Sequence, residues 1–264
     1  MTESERPQIL IGTAGWSLPR AEQDHFGGTG SHLERYATRF RAVEINSSFH
    51  RSHKPVIWAR WRDAVPAGFR FSVKMPKSIT HTARLSGSDD LVAAFLDEAC
   101  NLGAKLGCLL VQLPPSLAFN LGMARGFFED LRARTDVVIA CESRHASWFE
   151  TEPDQLLAEL GVARVAADPA RVAVAAEPGG ARAFSYFRLH GSPKIYYSAY
   201  TAEFIAQLAK RLAAEAAENR TIWCIFDNTT LGAATGNART LLETSRAQHK
   251  PCPIAAASVE SNPP

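Results

Sequence analysis

The chain reads as an α/β protein folded into a single TIM-type (β/α)8 barrel, and three observations lead there. Eight short apolar runs recur along its 264 residues at roughly the 30-residue interval of a strand–helix–strand unit. Stretches with helical spacing lie between most of them. Seven of the eight runs end on a charged or amide side chain, at the strand ends where parallel barrels gather their chemistry. Strands alternating with helices form right-handed crossovers and a parallel sheet, and eight such units favour closure over the competing open, doubly wound sheet.

In chain order the strand signals are QILIGTA (8–14), AVEIN (42–46), FRFSVKM (69–75), GCLLVQLP (107–114), VVIACE (137–142), ARVAAD (163–168), FSYFRLHG (184–191) and TIWCIFDN (221–228). Helical stripes follow from Leu91, Phe95, Ala99 and Leu102, and from Phe204, Leu208 and Leu212. Pro55 and Pro153 suit a first helical turn, where a missing N–H costs nothing. Asp89, Asp90 and Asn237 suit N-caps, and Gly103, Gly107 and Gly161 suit left-handed helix ends. Residues 169–183 show no clean stripe, so the sixth crossover is expected to be irregular. The barrel is placed at residues 8–248, after a flexible N-terminus (1–7) and before a loose C-terminal tail (249–264).

Composition excludes several classes. Apolar residues make up 46% and charged residues 21%, ordinary values for a globular chain with a sizeable core. No run of about 18 apolar residues occurs and MTESERPQ is polar, so a membrane span and a signal peptide are not expected and a cytoplasmic location is. Cysteines at 100, 108, 141, 224 and 252 form no C-x-x-C pair and read as reduced, structural thiols. Net charge is only +2, yet residues 35–84 carry eleven Lys or Arg against Glu44 and Asp63. That asymmetry reads either as a solvated helix face or as a surface for an anionic partner such as nucleic acid.

Strand periodicity places the polar endings on one rim. Glu44 shares a face with Asn46, Ser72 with Lys74, and Arg188 with His190. Gln112, Glu142, Asp168 and Asp227 are assigned the matching position on their own strands, and Trp16 follows the first strand. The expected catalytic set is Glu44, Lys74, Glu142, Arg144, Asp168, Arg188, His190 and Asp227; the expected binding set is Trp16, Asn46, Gln112, His145, Gly191, Asn228 and Gly232. A divalent metal would draw on Glu44, Glu142, Asp168, His190 and Asp227, but Lys74 and Arg188 alternate with those acids and would repel a cation, so a metal is not favoured and the cofactor is left unknown. Glu44 and Glu142 also suit the acid and base of glycoside hydrolysis, or one half each of a structural ion pair. Lys74 would be a Schiff-base nucleophile if desolvated. HGSPKIYYSAY and NTTLGAATGNARTL occupy the usual phosphate-cradle loops, with Gly191, Gly232 and Gly236 offering backbone N–H groups and a helix opening near Asn237. Tyr196, Tyr197 and Tyr200 beside them are placed to stack on a sugar or base, or to cover the rim.

The ordered motifs GTAGWS (12–17), AVEINSSFHR (42–51), FRFSVKMPKSITH (69–81), LGCLLVQLPPS (106–116), CESRHASWF (141–149), RVAADP (164–169), YFRLHGS (186–192) and FDNTTLGAATGNARTL (226–241) together resemble the YecE-like family, a domain of unknown function numbered 72. The resemblance spans nearly the whole chain. It implies a TIM-type barrel and supplies no agreed reaction, substrate or cofactor. Carried over residue by residue, its motif positions are Trp16, Glu44, Asn46, Lys74, His81, Gln112, Glu142, Arg144, His145, Asp168, Arg188, His190, Gly191 and Asn228. The chain departs from the pattern in SLPRAEQDHFGG, which lacks an aromatic-proline segment, and at His50 and Ser143, where Tyr and an aromatic are common.

The leading expectation is an enzyme, a hydrolase, lyase or isomerase, acting on a small polar or phosphorylated compound. Glu44, Glu142 and His190 would move protons, and Lys74, Arg144 and Arg188 would clamp developing negative charge. The alternatives are a nucleic-acid-binding barrel using residues 35–84 and a non-catalytic ligand-binding barrel. Oligomeric state is not legible in the sequence.

Overall fold

The computed structural model describes residues 8–218 and 220–248, so the segments expected to be flexible, 1–7 and 249–264, lie outside the described residues. Ten strands are present among the described residues: β1 (Ile9–Thr13), β2 (Ala42–Ile45), β3 (Arg70–Lys74), β4 (Leu106–Gln112), β5 (Val138–Glu142), β6 (Val162–Arg164), β7 (Ala166–Asp168), β8 (Gly179–Gly180), β9 (Phe184–Leu189) and β10 (Thr221–Phe226). The helices are α1 (His32–Ala37), α2 (Pro55–Asp63), α3 (Asp89–Ala99), α4 (Leu121–Arg134), α5 (Thr151–Glu159), α6 (Ala202–Ala217) and α7 (Ala233–Gln248).

These strands pair into two sheets, in the orders β1-β10-β9-β7 and β2-β3-β4-β5-β6-β8. Pairing is parallel except for β8, which lies antiparallel on β6. The expected single closed ladder is thus replaced by two, and the seams have physical causes. Between β1 and β2 the Tyr36 hydroxyl is inserted into the ladder, accepting from Thr13 N at 2.9 Å and donating to Ala42 O at 3.0 Å. Only a bridge between Ala14 and Glu44 joins the strands there, with Gly15 N donating to Glu44 O at 2.8 Å. At the other seam the chain passes from β6 to β7 through Val165, whose N–H still reaches Cys141 O at 2.9 Å, so one strand serves both sheets.

Side-chain alternation divides the core in two. Ile11, Val43, Val73, Val111, Ile139 and Phe226 pack outward against helix residues such as Phe95, Phe128 and Leu208. Leu10, Ala42, Cys108, Leu110, Ala140, Trp223 and Ile225 form a second cluster drawn from strands of both sheets with no helix residue, so it lies between the sheets. Cys108, Cys141 and Cys224 are free, buried thiols within these layers, and burial pushes the Cys141 thiol up to about 12.

Local signals mostly hold, with shifts. Ser31 and Glu34 form a capping box on α1, and Pro55 opens α2. On α3 the buried stripe is Val92, Phe95, Leu96 and Ala99, and Leu91 is exposed. Gly103 and Gly161 adopt left-handed backbone, whereas Gly107 lies inside β4, where a Cβ would come within 2.8 Å of the Trp223 ring. The sixth crossover is irregular as expected: a 3-10 turn (Ala173–Ala176) and β8 replace a helix. Arg164 and Asp154 hold it, with Asp154 Oδ1 accepting from Arg164 Nε at 2.8 Å and from Gly180 N at 2.9 Å. Among the described residues no helix is long and apolar enough to cross a membrane.

Candidate active site

The inward-facing positions that are apolar near the strand starts become polar at the C-terminal ends. Ala42 is followed by Glu44, Leu110 by Gln112, Ala140 by Glu142, Tyr186 by Arg188 and Ile225 by Asp227; on β3 the inward position before Lys74 is already polar, the buried Ser72. Parallel strands run the same way, so these endings meet at one mouth. Burying them is tolerable only because they satisfy one another.

Arg188, fully buried, stands at the centre. Its Nε and Nη2 donate to Glu44 Oε2 and Oε1 at 2.9 and 2.5 Å, its Nη1 to Glu142 Oε2 at 2.7 Å, and Nη2 lies 3.1 Å from Asp227 Oδ2. Tyr186 adds a hydroxyl 2.9 Å from Glu44 Oε2 and 2.9 Å from Ser72 Oγ. Glu142 also accepts from Gln112 Nε2 at 2.9 Å and from Arg144 Nη2 at 3.1 Å. Burial opposes ionisation of Glu142, but the charges of Arg188, Arg144 and His190 outweigh it and hold the carboxyl well below its ordinary range.

His190 sits between two acids, with Nε2 2.9 Å from Glu142 Oε1 and Nδ1 3.1 Å from Asp227 Oδ2. A neutral imidazole has one donor nitrogen, and an ionised carboxylate only accepts, so two carboxylate partners call for imidazolium. Burial disfavours that cation; the Glu142 charge and the hydrogen bonds to Asp227 and Glu142 prevail and raise its pKa. Three carboxylates (Glu44, Glu142, Asp227) therefore face four cationic groups (Lys74, Arg144, Arg188, His190), an excess of one positive charge.

Lys74 differs from the rest. It is 8% exposed, its Nζ lies 4.1 Å above the Phe49 ring, and no hydrogen bond or ion pair reaches that nitrogen among the described residues. Burial first, and the Arg188 charge second, push it down to about 8, against the pull of Glu44, Glu142 and Asp227. Beside it, burial and the Lys74 and Arg144 charges hold His81 below the usual imidazole range.

A cavity of about 300 Å³ opens against this mouth, lined among others by Glu142, Arg144, Phe149, Arg171, His190 and Tyr196. Tyr196 lies edge-on to His190 with ring centroids 5.7 Å apart.

Not every expected residue joins the mouth. Asp168 faces the other way: it pairs with Leu189 while Ala167 pairs with Arg188, and its Oδ1 accepts the Tyr200 hydroxyl at 2.7 Å. Counting by two from Ala163 through Val165 to Ala167 gives that facing. Its removal, and the Arg188 guanidinium at the point where the other acids converge, leave the expected metal set unassembled; among the described residues no group of three His, Cys, Asp or Glu is arranged to hold an ion. Trp16 packs edge-on to Trp61 at 5.2 Å and lines, with Asn46, a separate cleft of about 400 Å³. Asn46 Nδ2 reaches Asp227 Oδ1 at 3.4 Å. His145 caps a 3-10 turn (Ala146–Phe149) by accepting from Ser147 N at 3.2 Å.

The expected phosphate cradle is occupied by the protein's own contacts. Gly191 N donates to the Tyr200 hydroxyl at 2.9 Å and Gly232 N to Thr229 O at 3.0 Å. Helix α7 begins at Ala233, ahead of Asn237, whose Oδ1 accepts from Tyr200 N at 3.0 Å and from Asn228 Nδ2 at 2.9 Å. In the basic segment, Arg35, Arg39, Arg62, Arg70 and Arg84 each donate to backbone carbonyls. Tyr186 is the site residue that the sequence reading misses, although it shares the face of Arg188; Tyr196, expected in a stacking or rim-covering cluster, lines the cavity, and Asn237, expected at a helix opening, lies inside α7.

Fold and site define an α/β protein of parallel sheets with a polar mouth of interlocked charges at the C-terminal strand ends. The chain belongs to the family described as "Protein of unknown function DUF72", whose model matches residues 10–262. It is 34% identical over 166 residues to UPF0759 protein YecE of Escherichia coli K12, covering 61% of this chain and 59% of that protein. Against UPF0759 protein YecE of Escherichia coli O157:H7 it is 39% identical over 106 residues, covering 40% and 38%. The matched regions thus span less than two thirds of these curated relatives. Crystal structures of DUF72 family proteins from Enterococcus faecalis and Thermotoga maritima superpose with TM-scores of 0.76 and 0.75, each 22% identical; they cover 92% of this chain and 99% and 100% of theirs. At that identity the likeness concerns the fold.

Proposed function

We propose that the two sheets act as one eight-stranded barrel and that the protein is a cytoplasmic enzyme acting on a small anionic compound at the barrel's mouth. The observation that carries this reading is the excess positive charge of a buried cluster whose members Glu142, Arg144 and His190 line the cavity, while Lys74 Nζ has no hydrogen-bond or ion-pair partner among the described residues. An anion entering there would complete the balance.

Roles follow from which atoms are engaged. Glu44 is fully buried with both oxygens held by Arg188, so it positions the guanidinium and is not a free base. Both oxygens of Glu142 are also engaged, and one guanidinium holds it together with Glu44. That favours a lyase or isomerase over glycoside hydrolysis, which needs two carboxyls facing substrate. His190, between Glu142 and Asp227, is the proton reservoir. Lys74 and Arg144 bind the anion and stabilise charge that develops in the reaction. Nucleic acid is the weaker reading, since much of the basic segment is turned to backbone carbonyls.

A thermal-shift screen of phosphorylated compounds, carboxylates, sugars and nucleotides tests the proposal. A small anion should raise stability saturably, and Arg144→Met should abolish the rise. If only neutral sugars stabilise the protein, or the response ignores Arg144, the reading fails. Once turnover is found, Glu142→Gln should eliminate it without unfolding the chain.

A further inference from the structure

The position of Lys74 specifies more than anion binding. Its amine ends β3 on the face that carries the mouth, sheltered by the Phe49 ring and free of any acceptor. Lys105 makes the contrast plain: its ammonium donates to Arg62 O and Val65 O, each at 2.5 Å, and is committed to structure. Lys54, Lys77, Lys194 and Lys210 are exposed. A desolvated amine beside a fixed guanidinium is the arrangement that makes lysine a nucleophile near neutral pH.

We propose that Lys74 forms a Schiff base with the carbonyl carbon of a small aldehyde or ketone bearing a carboxylate or phosphate, while Arg144 holds the anionic group. This deepens the reading above and rests on it. The neutral Nζ lone pair attacks the carbonyl carbon, forming the C–N bond as the C=O π pair moves to oxygen. That oxygen takes the proton released by nitrogen, giving a neutral carbinolamine. A second proton, equivalent to the one the Lys74 ammonium gave up to solvent on becoming the neutral amine, converts the hydroxyl into leaving water, and the nitrogen lone pair closes the C=N bond. The sum is amine plus carbonyl plus one proton giving iminium plus water, with no oxidation or reduction. The iminium keeps the positive charge that the ammonium had, so the balance of the cluster is preserved.

Borohydride trapping tests this, because hydride adds to the iminium carbon and leaves a stable secondary amine. The whole chain is incubated with pyruvate, and separately with glyceraldehyde 3-phosphate, then reduced and examined by intact mass and peptide mapping. The expected result is a single adduct per chain on the Lys74 peptide with at least one of the two probes. It should form faster as pH rises through about 8, be absent in Lys74→Met, and slow about tenfold or more in Arg144→Met, the loss of one charge-assisted contact worth about 1.4 kcal/mol. No adduct with either probe, or adducts spread over Lys54, Lys77, Lys194 and Lys210, would overturn the proposal. Thermal shift separates the two claims: an Arg144-dependent rise without an adduct sinks the Schiff base alone, and neither signal sinks both.

Discussion

Nη1 of Arg188 donates to Oε2 of Glu142 at 2.7 Å across 46 residues of sequence, and the same guanidinium grips Glu44 from the opposite side of the mouth. One cation thus ties β2, β5 and β9, strands of both sheets, at the end where their polar side chains meet. Truncating one partner of such a buried cluster leaves uncompensated charge. Arg188→Met should therefore cost about 3–5 kcal/mol in a denaturant titration at neutral pH. The deficit should shrink in acid, as the orphaned carboxylates protonate. A loss under about 1 kcal/mol would mean the cluster is solvated after all.

Acid sensitivity has a definite sign. Glu142 and Asp227 titrate below their ordinary values of 4.5 and 3.8 in the folded protein. Their contribution is present above the unfolded values and lost as pH falls through the lower folded ones. Stability should decline below about pH 4.5, and Glu142→Gln should flatten that decline; equal slopes for both proteins would refute the assignment.

Lys74 acts in the opposite direction. The unfolded chain keeps this proton up to about 10.5 while the folded chain releases it near 8, so between those values the unfolded state binds more protons. Stability from this group rises with pH across that window. Buried cysteines oppose it above their ordinary value of 9.0, so the measured quantity is the difference between wild type and Lys74→Met. At pH 7 the variant should be the more stable by about 3 kcal/mol, from 1.36 kcal/mol per pKa unit. A less stable variant would show the amine to be structural.

Gly191 fixes the loop that carries Tyr196 over the cavity. Its φ is +95°, and an added Cβ would lie 2.8 Å from Ser198 O. Gly191→Ala should cost about 1–3 kcal/mol and expose Tyr196 to quenching or nitration. Unchanged stability would show that the loop adapts freely.

Much of this was legible in the sequence because strand alternation is a local signal. Glu44, Lys74, Gln112, Glu142, Arg188, His190 and Asp227 do converge, as period-two counting implied. The same counting, begun one residue off at the bend through Val165, placed Asp168 in the mouth, whereas Tyr200 holds it outside. Gly191 and Gly232 looked like an anion cradle because composition shows flexible backbone and not where each N–H is spent. Tyr36 was illegible in its role: no pattern announces a helix tyrosine that enters a ladder and splits it. Nor does sequence tell that Glu44 and Glu142 share one guanidinium, which changes them from free acids into positioning groups.

The central claim is that the mouth is one positive charge in excess and takes a small anion at Lys74 and Arg144. Thermal unfolding in inorganic phosphate against chloride at matched ionic strength, for wild type and Arg144→Met, tests it most directly. The account predicts a saturable rise for wild type, approaching about 2.7 kcal/mol at a hundred times Kd, and none for the variant. No rise in wild type, or the same rise in both, would contradict it.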